Sequence, residues 1–308
     1  MTTSGTTAFN LDLNNLIEEA FERCGQELRT GYDMRTARRS LNLLTIEWAN
    51  RGINLWTIEQ GQIDMVTGQS LYPMPAHTID FLDTVIRQNN GVQSNQIDIN
   101  ITRISESTYA TIPNKLTTGR PIQVWINRQS NQTNATSVTL DGAISATDTT
   151  INVSDASQLA SGGFIKIGSE TIGYANIVGN QIQNAYRGQN GTTAASHADG
   201  DAISVQNLSS INVWHTPDAG GGPYTFVYWR LRRIQDAGSN GTVEPDIPFR
   251  LLPCMVAGLA FYMAQKLPDG QARVQFLKQE YEEQWLMAST EDREKAASRF
   301  VPRTTFYA

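Results

Sequence analysis

Three histidines, two cysteines and no surplus of basic charge leave few of the usual chemistries open to this chain of 308 residues. Cys24 and Cys254 each fall inside an apolar helical pattern, which suits small buried hydrophobes better than a disulfide or a metal pair. A reducing cytoplasm is therefore acceptable for folding. With a net charge of −6, the chain lacks the basic excess that sequence-independent phosphate binding needs, so nucleic acid is not expected as a tight ligand. No apolar run reaches the roughly 20 residues of a membrane span, and no membrane partner is expected. Met1 to Asn10 has neither a basic stretch nor an apolar core, so no secretory signal is expected there. The Asn-x-Ser/Thr triplets at Asn131, Asn134 and Asn240 then carry no glycosylation meaning.

A local absence organises the rest of the chain. Ser137 to Gln206 contains no Trp, Cys, Met or Pro, and all six tryptophans lie outside it. The stretch reads as a small all-β passenger spliced into a larger α+β host, so the host is read from both flanks together. The expected division is a discontinuous host of residues 1–134 and 209–298, an inserted β-module at 135–208, and an extended arm at 299–308.

In the host, Leu13, Leu16, Ile17, Ala20, Phe21, Cys24 and Leu28 line one face of a helix. A second helix is expected after Gly31, with Asp33 as N-cap, Met34, Ala37, Leu41, Leu44 and Trp48 as its stripe, and an end at Gly52. The two are expected to pack as an antiparallel hairpin. Alternation from Leu55 to Met65, Leu71-Tyr72-Pro73 with an edge-type proline, Thr84 to Arg87 and Ile97 to Ile101 predict strands. Ile122 to Ile126, Ile211 to Trp214 and Tyr224 to Leu231 predict further strands and place the passenger at a hairpin tip. Phe249 to Ala264 reads as a buried core helix, and Val274, Leu277, Tyr281 and Trp285 form the stripe of a last helix with Phe276 on its outer face. Within the passenger, Gly168-Ser169 and Gly179-Asn180 mark hairpin tips, and about six short strands are expected, enough for a small barrel or sandwich.

No catalytic constellation stands out, and no cofactor or metal is expected. His77, His197 and His215 are followed by Asp80, Asp201 and Asp218, without a helix to align them as ligands. There is no Gly-x-Ser-x-Gly elbow, and Gly220-Gly221-Gly222 lacks the Lys-Ser/Thr of a phosphate loop. Asp141, Asp148, Asp155, Glu170, Asp199 and Asp201 match no calcium loop and read as solvated strand ends. Arg35, Arg38 and Arg39 either face an acidic partner surface or keep their helix soluble.

Several motifs fall in a recognisable order. Ala37-Arg-Arg-Ser-Leu-Asn-Leu-Leu-Thr-Ile-Glu-Trp-Ala-Asn-Arg-Gly-Ile-Asn-Leu-Trp56, Ile112-Pro-Asn-Lys, Thr118-Gly-Arg-Pro121, Asp246-Ile-Pro-Phe-Arg250 and Gly258-Leu-Ala-Phe-Tyr-Met-Ala-Gln-Lys266 resemble the head-to-tail adaptor proteins of short-tailed bacteriophages. The resemblance covers roughly Leu13 to Arg128 and Ser210 to Pro302. Gly168-Ser-Glu-Thr-Ile-Gly-Tyr174 and Tyr186-Arg-Gly-Gln-Asn-Gly-Thr-Thr-Ala-Ala-Ser-His197 look like a β-module found in many phage structural proteins, which simpler adaptors lack.

The resemblance implies an α+β fold: a helical adaptor core of antiparallel long helices plus a small antiparallel sheet, carrying the inserted barrel or sandwich. It implies a non-enzymatic virion protein of the neck, made in the bacterial cytoplasm, in a ring of about twelve copies between portal protein and tail nozzle protein. The genome would pass through the lumen without tight binding, and twelve subunits at −6 would carry about −72. Arg299, Phe300, Val301, Pro302, Phe306 and Tyr307 are the candidate portal-binding residues. Arg35, Arg38, Arg39, Lys278 and Glu282 are the candidate subunit contacts. The inserted module is a candidate contact for tail fibres. The alternative is a tail-associated binding protein, an adhesin or fibre-attachment component that uses the module. Its only aromatics from Ser137 to Gln206 are Phe164, Tyr174 and Tyr186, with no Trp to stack on sugar.

Overall fold

A computed structural model describes residues 5, 11–28, 31–52, 55–221, 223–238 and 242–292. By compactness the chain divides into Met1–Ile58 with Leu231–Ala308, and Glu59–Arg230. The first unit is helical; the second is built almost wholly of strands.

The helical unit is organised by its most apolar segment. Helix α1 (Leu13–Cys24) begins at the Asp12 cap, whose Oδ1 accepts the Asn15 amide at 2.8 Å, and ends at Gly25 in the left-handed conformation. Helix α2 spans Gly31–Arg51, with Asp33 inside its first turn where the sequence reading has an N-cap. There its carboxylate faces the positive end of the helix dipole. In the second unit lies the short α3 (Glu106–Ala110), capped by Ser105. Helix α4 (Leu252–Ala264) follows a 3-10 turn at Phe249–Leu251, and α5 runs from Val274 to Glu291.

Helices α1, α2 and α5 all pack on α4. The expected α1–α2 hairpin is therefore replaced by a cluster around a central helix. Nine of the thirteen residues of α4 are buried, on all its sides, whereas α1 and α2 each bury a single face. A helix apolar all round takes the middle because only there is its whole surface covered. Gly258 permits a close approach: a Cβ at this position would sit 2.9 Å from both Leu44 Cδ1 and Tyr281 Cε2.

Strands dominate the second unit, and this corrects the expected fold class. Among the described residues only α2, with 21 residues, and α5, with 18, exceed four turns, while the strands form five small sheets. The molecule is a mixed fold, not a core of antiparallel long helices with one small antiparallel sheet. One four-stranded sheet has the order Ile58–Asp64, Tyr224–Arg232, Thr78–Gln88, Ile97–Asn100. The other has the order Leu71–Pro73, Ser210–Trp214, Gln123–Asn127, Thr102–Ile104, with the proline on an edge strand. Its last pair is parallel, as is the pairing of Thr216–Pro217 with Thr118–Gly119, so the sheets are not all antiparallel. A parallel pair needs a crossover, and the segment carrying α3 supplies one.

Asn127 lies opposite Ser210 in the pair formed by Gln123–Asn127 and Ser210–Trp214, so the intervening chain emerges from the tip of that hairpin. It folds around its own core, centred on Val138, Ile151, Ile165, Ile167, Ile172 and Ile203. A separate core of Tyr72, Phe81, Ile86, Phe226 and Tyr228 serves the host sheets. The insertion holds eight strands where about six were expected: a five-stranded sheet and a three-stranded sheet. Its two tips are tight hairpins, with Ile167 opposite Glu170 and Val178 opposite Gln181. Gly168 (φ 58°) and Gly179 (φ 61°) supply the positive φ these turns require.

Candidate functional site

In the helical unit, an aromatic and ionic network fixes α2 and α5. Trp48 Nε1 donates to Tyr281 Oη at 3.1 Å, and Tyr281 donates to Glu47 Oε1 at 3.3 Å. Tyr262 also donates to Glu47, at 2.7 Å, and burial together with the Glu47 charge pushes its hydroxyl up to about 12. Arg51 bonds Glu282 Oε1 at 2.7 Å and lies 4.6 Å from the centroid of the Trp285 ring. Two further ties come from segments that the sequence motifs single out. Trp56 Nε1 donates to the Asp246 carbonyl at 2.9 Å, and the Asp246 carboxylate holds the Arg232 guanidinium and the Gln235 amide. Burial works against the Asp246 charge, but these donors bring its carboxyl below the usual range.

The outward faces of these two fixed helices carry large apolar side chains. On α2, Tyr32 is 65% exposed, Leu43 53% and Ile46 57%. They fall on one stripe with Arg35 and Arg39, because positions 32, 35, 39, 43 and 46 follow the helical repeat. On α5, Phe276 is 67% exposed, Leu286 66% and Met287 61%, sharing a face with Gln279 and Glu283. Exposed apolar residues scattered singly need no explanation, but on each of these two helices they stand at both ends of one outer stripe, with charged and polar side chains between.

The sequence-derived candidates fall as follows. Arg35 and Arg39 are exposed, Arg38 is half-buried, and all three line a shallow pocket with Tyr32. Arg39 Nη2 reaches only Thr36 Oγ1, at 3.2 Å. Lys278 is exposed on α5, between the buried stripe and the outer face. Glu282 is engaged by Arg51 of the same chain. Arg299, Phe300, Val301, Pro302, Phe306 and Tyr307 lie outside the described residues.

A second arrangement was missed in the sequence. Glu170 is a fully buried residue, not a solvated strand end. Arg187 grips its carboxylate with two bonds of 2.9 and 2.8 Å, His197 Nε2 lies 2.8 Å away, and the amides of Gly188 and Ala195 donate at 3.0 and 3.1 Å. Burial alone would raise the carboxyl, yet Arg187, His197 and the two amides together hold it at about 2. Arg187 also donates to the carbonyls of Ser145, Asp148 and Ala195, so one charge pair ties three segments of the inserted module together. All three guanidinium nitrogens of Arg187 are used within the cluster, which makes it a clamp. One signal was available: from Ser137 to Gln206 the only cationic side chains are Lys166 and Arg187, with His197 the only histidine.

The other histidines stand apart. His77 occupies an exposed turn with φ 62°, and His215 Nδ1 lies 3.4 Å from the Arg120 carbonyl. Among the described residues no group of three His, Cys, Asp or Glu side chains is disposed to hold a metal, and no helix is long and apolar enough to cross a membrane. Cys24 and Cys254 are buried free thiols, and burial pushes them up to about 11 and about 12. The module's β-sheet also touches its host: Gln69 Nε2 donates to Gln189 Oε1 at 3.0 Å, and Tyr186 Oη accepts the Ser70 amide at 3.3 Å. Compared with known proteins, the chain matches no family, and no curated protein matches it with significance.

Proposed function

We propose that this chain is a structural subunit of a virion, a head-to-tail adaptor that forms a ring between portal protein and tail nozzle and leaves an axial passage for the genome. The observation that carries the reading is the pair of exposed apolar stripes on α2 and α5, held rigid by the Trp48, Tyr281 and Arg51 network. A ring subunit meets two identical neighbours and therefore needs two stiff, sticky sides. Support also comes from the motif order that resembles phage adaptors, since Trp48, Trp56, Asp246 and Gly258 all sit at joints of the helical unit. In this reading the work is mechanical, with no bond made or broken. The −6 charge suits a passage through which DNA slides.

The test is to mix the purified full chain with the portal of its virus and examine the product by native mass and negative-stain microscopy. A ring seated on the portal supports the adaptor. A chain that ignores the portal but binds glycans supports the tail-associated binding protein instead.

A further inference from the structure

Deepening that reading and resting on it, we infer that the α2 stripe of one copy is filled by the α5 stripe of the next, the two helices running in the same sense and in a defined register. The two stripes have the same spacing. Tyr32 and Leu43 are eleven positions apart on α2, and Phe276 and Met287 are eleven positions apart on α5. Both intervals span about 16.5 Å of helix at 1.5 Å per residue. Laid in the same sense, the helices bring Phe276 onto the Tyr32 ring and Met287 onto Leu43, with Ile46 beside it. An aromatic against an aromatic and a flexible thioether against branched aliphatics are both favourable packings.

The chain fixes the direction: α2 and α5 run the same way, with Glu47 and Trp48 meeting Tyr281 and Arg51 meeting Glu282, and neighbours in a ring of many copies differ by only a small rotation. Charge fixes the register. Arg35 and Arg39 stand between the two apolar ends of the α2 stripe, and among the described residues neither makes an ion pair. Glu283 stands between Phe276 and Met287, and its described contact is the Gln279 amide at 3.0 Å. In this register Glu283 faces Arg39 and Gln279 faces Arg35. The other acids nearby are already engaged within the chain: Glu280 with Arg23 and Glu282 with Arg51, each at 2.7 Å. Glu283, not Glu282, is thus the acid available to a neighbour. Pairing α2 with α2 would oppose arginines, whereas pairing α2 with α5 opposes unlike charges. Each copy carries one stripe of each kind, so the contact is heterologous and propagates from copy to copy until it closes.

The test is sedimentation of the full chain, alone and on the portal ring, for wild type, Arg35→Glu with Arg39→Glu, Glu283→Arg, and the chain carrying all three changes. The inference predicts that each side altered alone weakens assembly at least roughly tenfold, and that the triple change restores it. It further predicts that an equimolar mixture of the two altered chains assembles again with the two kinds alternating, because both of their mixed contacts match while each chain's contact with its own kind opposes like charges. All substituted positions are exposed, so unchanged thermal unfolding is expected of every variant. Rings that form undiminished from either altered chain, or a triple variant no better than its parents, would overturn this interface while leaving the adaptor reading intact. A wild type that stays monomeric both alone and with portal overturns the interface and the adaptor reading together.

Discussion

Glu170 shows how much one residue decides in the inserted module. Its carboxyl is held at about 2 against an ordinary 4.5, so the folded state binds the charged form more strongly than the unfolded chain does. For a carboxylate depressed in this way, the stabilisation is complete above pH 4.5 and is lost as pH falls toward 2. The shift corresponds to roughly 3 kcal/mol. Acid titration followed by hydrogen exchange should therefore show protection of the strands from Gly163 to Gln206 falling through that window. Glu170→Gln should remove the pH dependence and cost roughly 3–5 kcal/mol, because Arg187 is left buried without its counter-charge. Protection that is unchanged in this variant would show that the clamp does not hold the module. The sequence concealed the cluster because Glu170, Arg187 and His197 come from separate strands and loops. Only the hairpin turn at Gly168 and the curl of the Thr192 to His197 segment bring them together. An acid at a strand start reads as solvated until its partners are found.

Among elements, α4 governs the helical unit. The stripes of α1, α2 and α5 were legible, since Leu16, Phe21, Leu44, Trp48, Leu277 and Tyr281 are all buried as the helical repeat requires. What periodicity could not supply was their partner. A stripe reports which face is covered and not what covers it, so α1 and α2, neighbours in sequence, were paired with each other when both belong to α4. The composition of α4 held the clue, being apolar on every side. Gly258 makes the crossing possible, and Gly258→Val should push Leu44 and Tyr281 apart and destabilise the unit by roughly 1–3 kcal/mol in chemical denaturation. A neutral result would mean that the helices slide without cost. The strands of the second unit were likewise found one by one, for instance Leu71–Pro73 and Ser210–Trp214. Their assembly into sheets with parallel pairs was not read, because pairing partners lie far apart in the chain.

The whole molecule joins a clustered helical unit to a strand-rich one that carries its own extra core. In the helical unit α2 and α5 present the outer stripes on which the proposed ring contact rests. The aromatic residues from Phe300 to Tyr307 add a separate expectation: deleting residues 299–308 should abolish portal attachment while leaving the circular dichroism of the chain unchanged, and full attachment of the shortened chain would exclude this segment as the docking element. The most direct measurement is the native mass of the complete chain with and without its portal. The account predicts a discrete multiple of 34.1 kDa added to the portal ring, with the copy number of a closed circle. A mass spectrum showing the portal unchanged and the chain always solitary would contradict it.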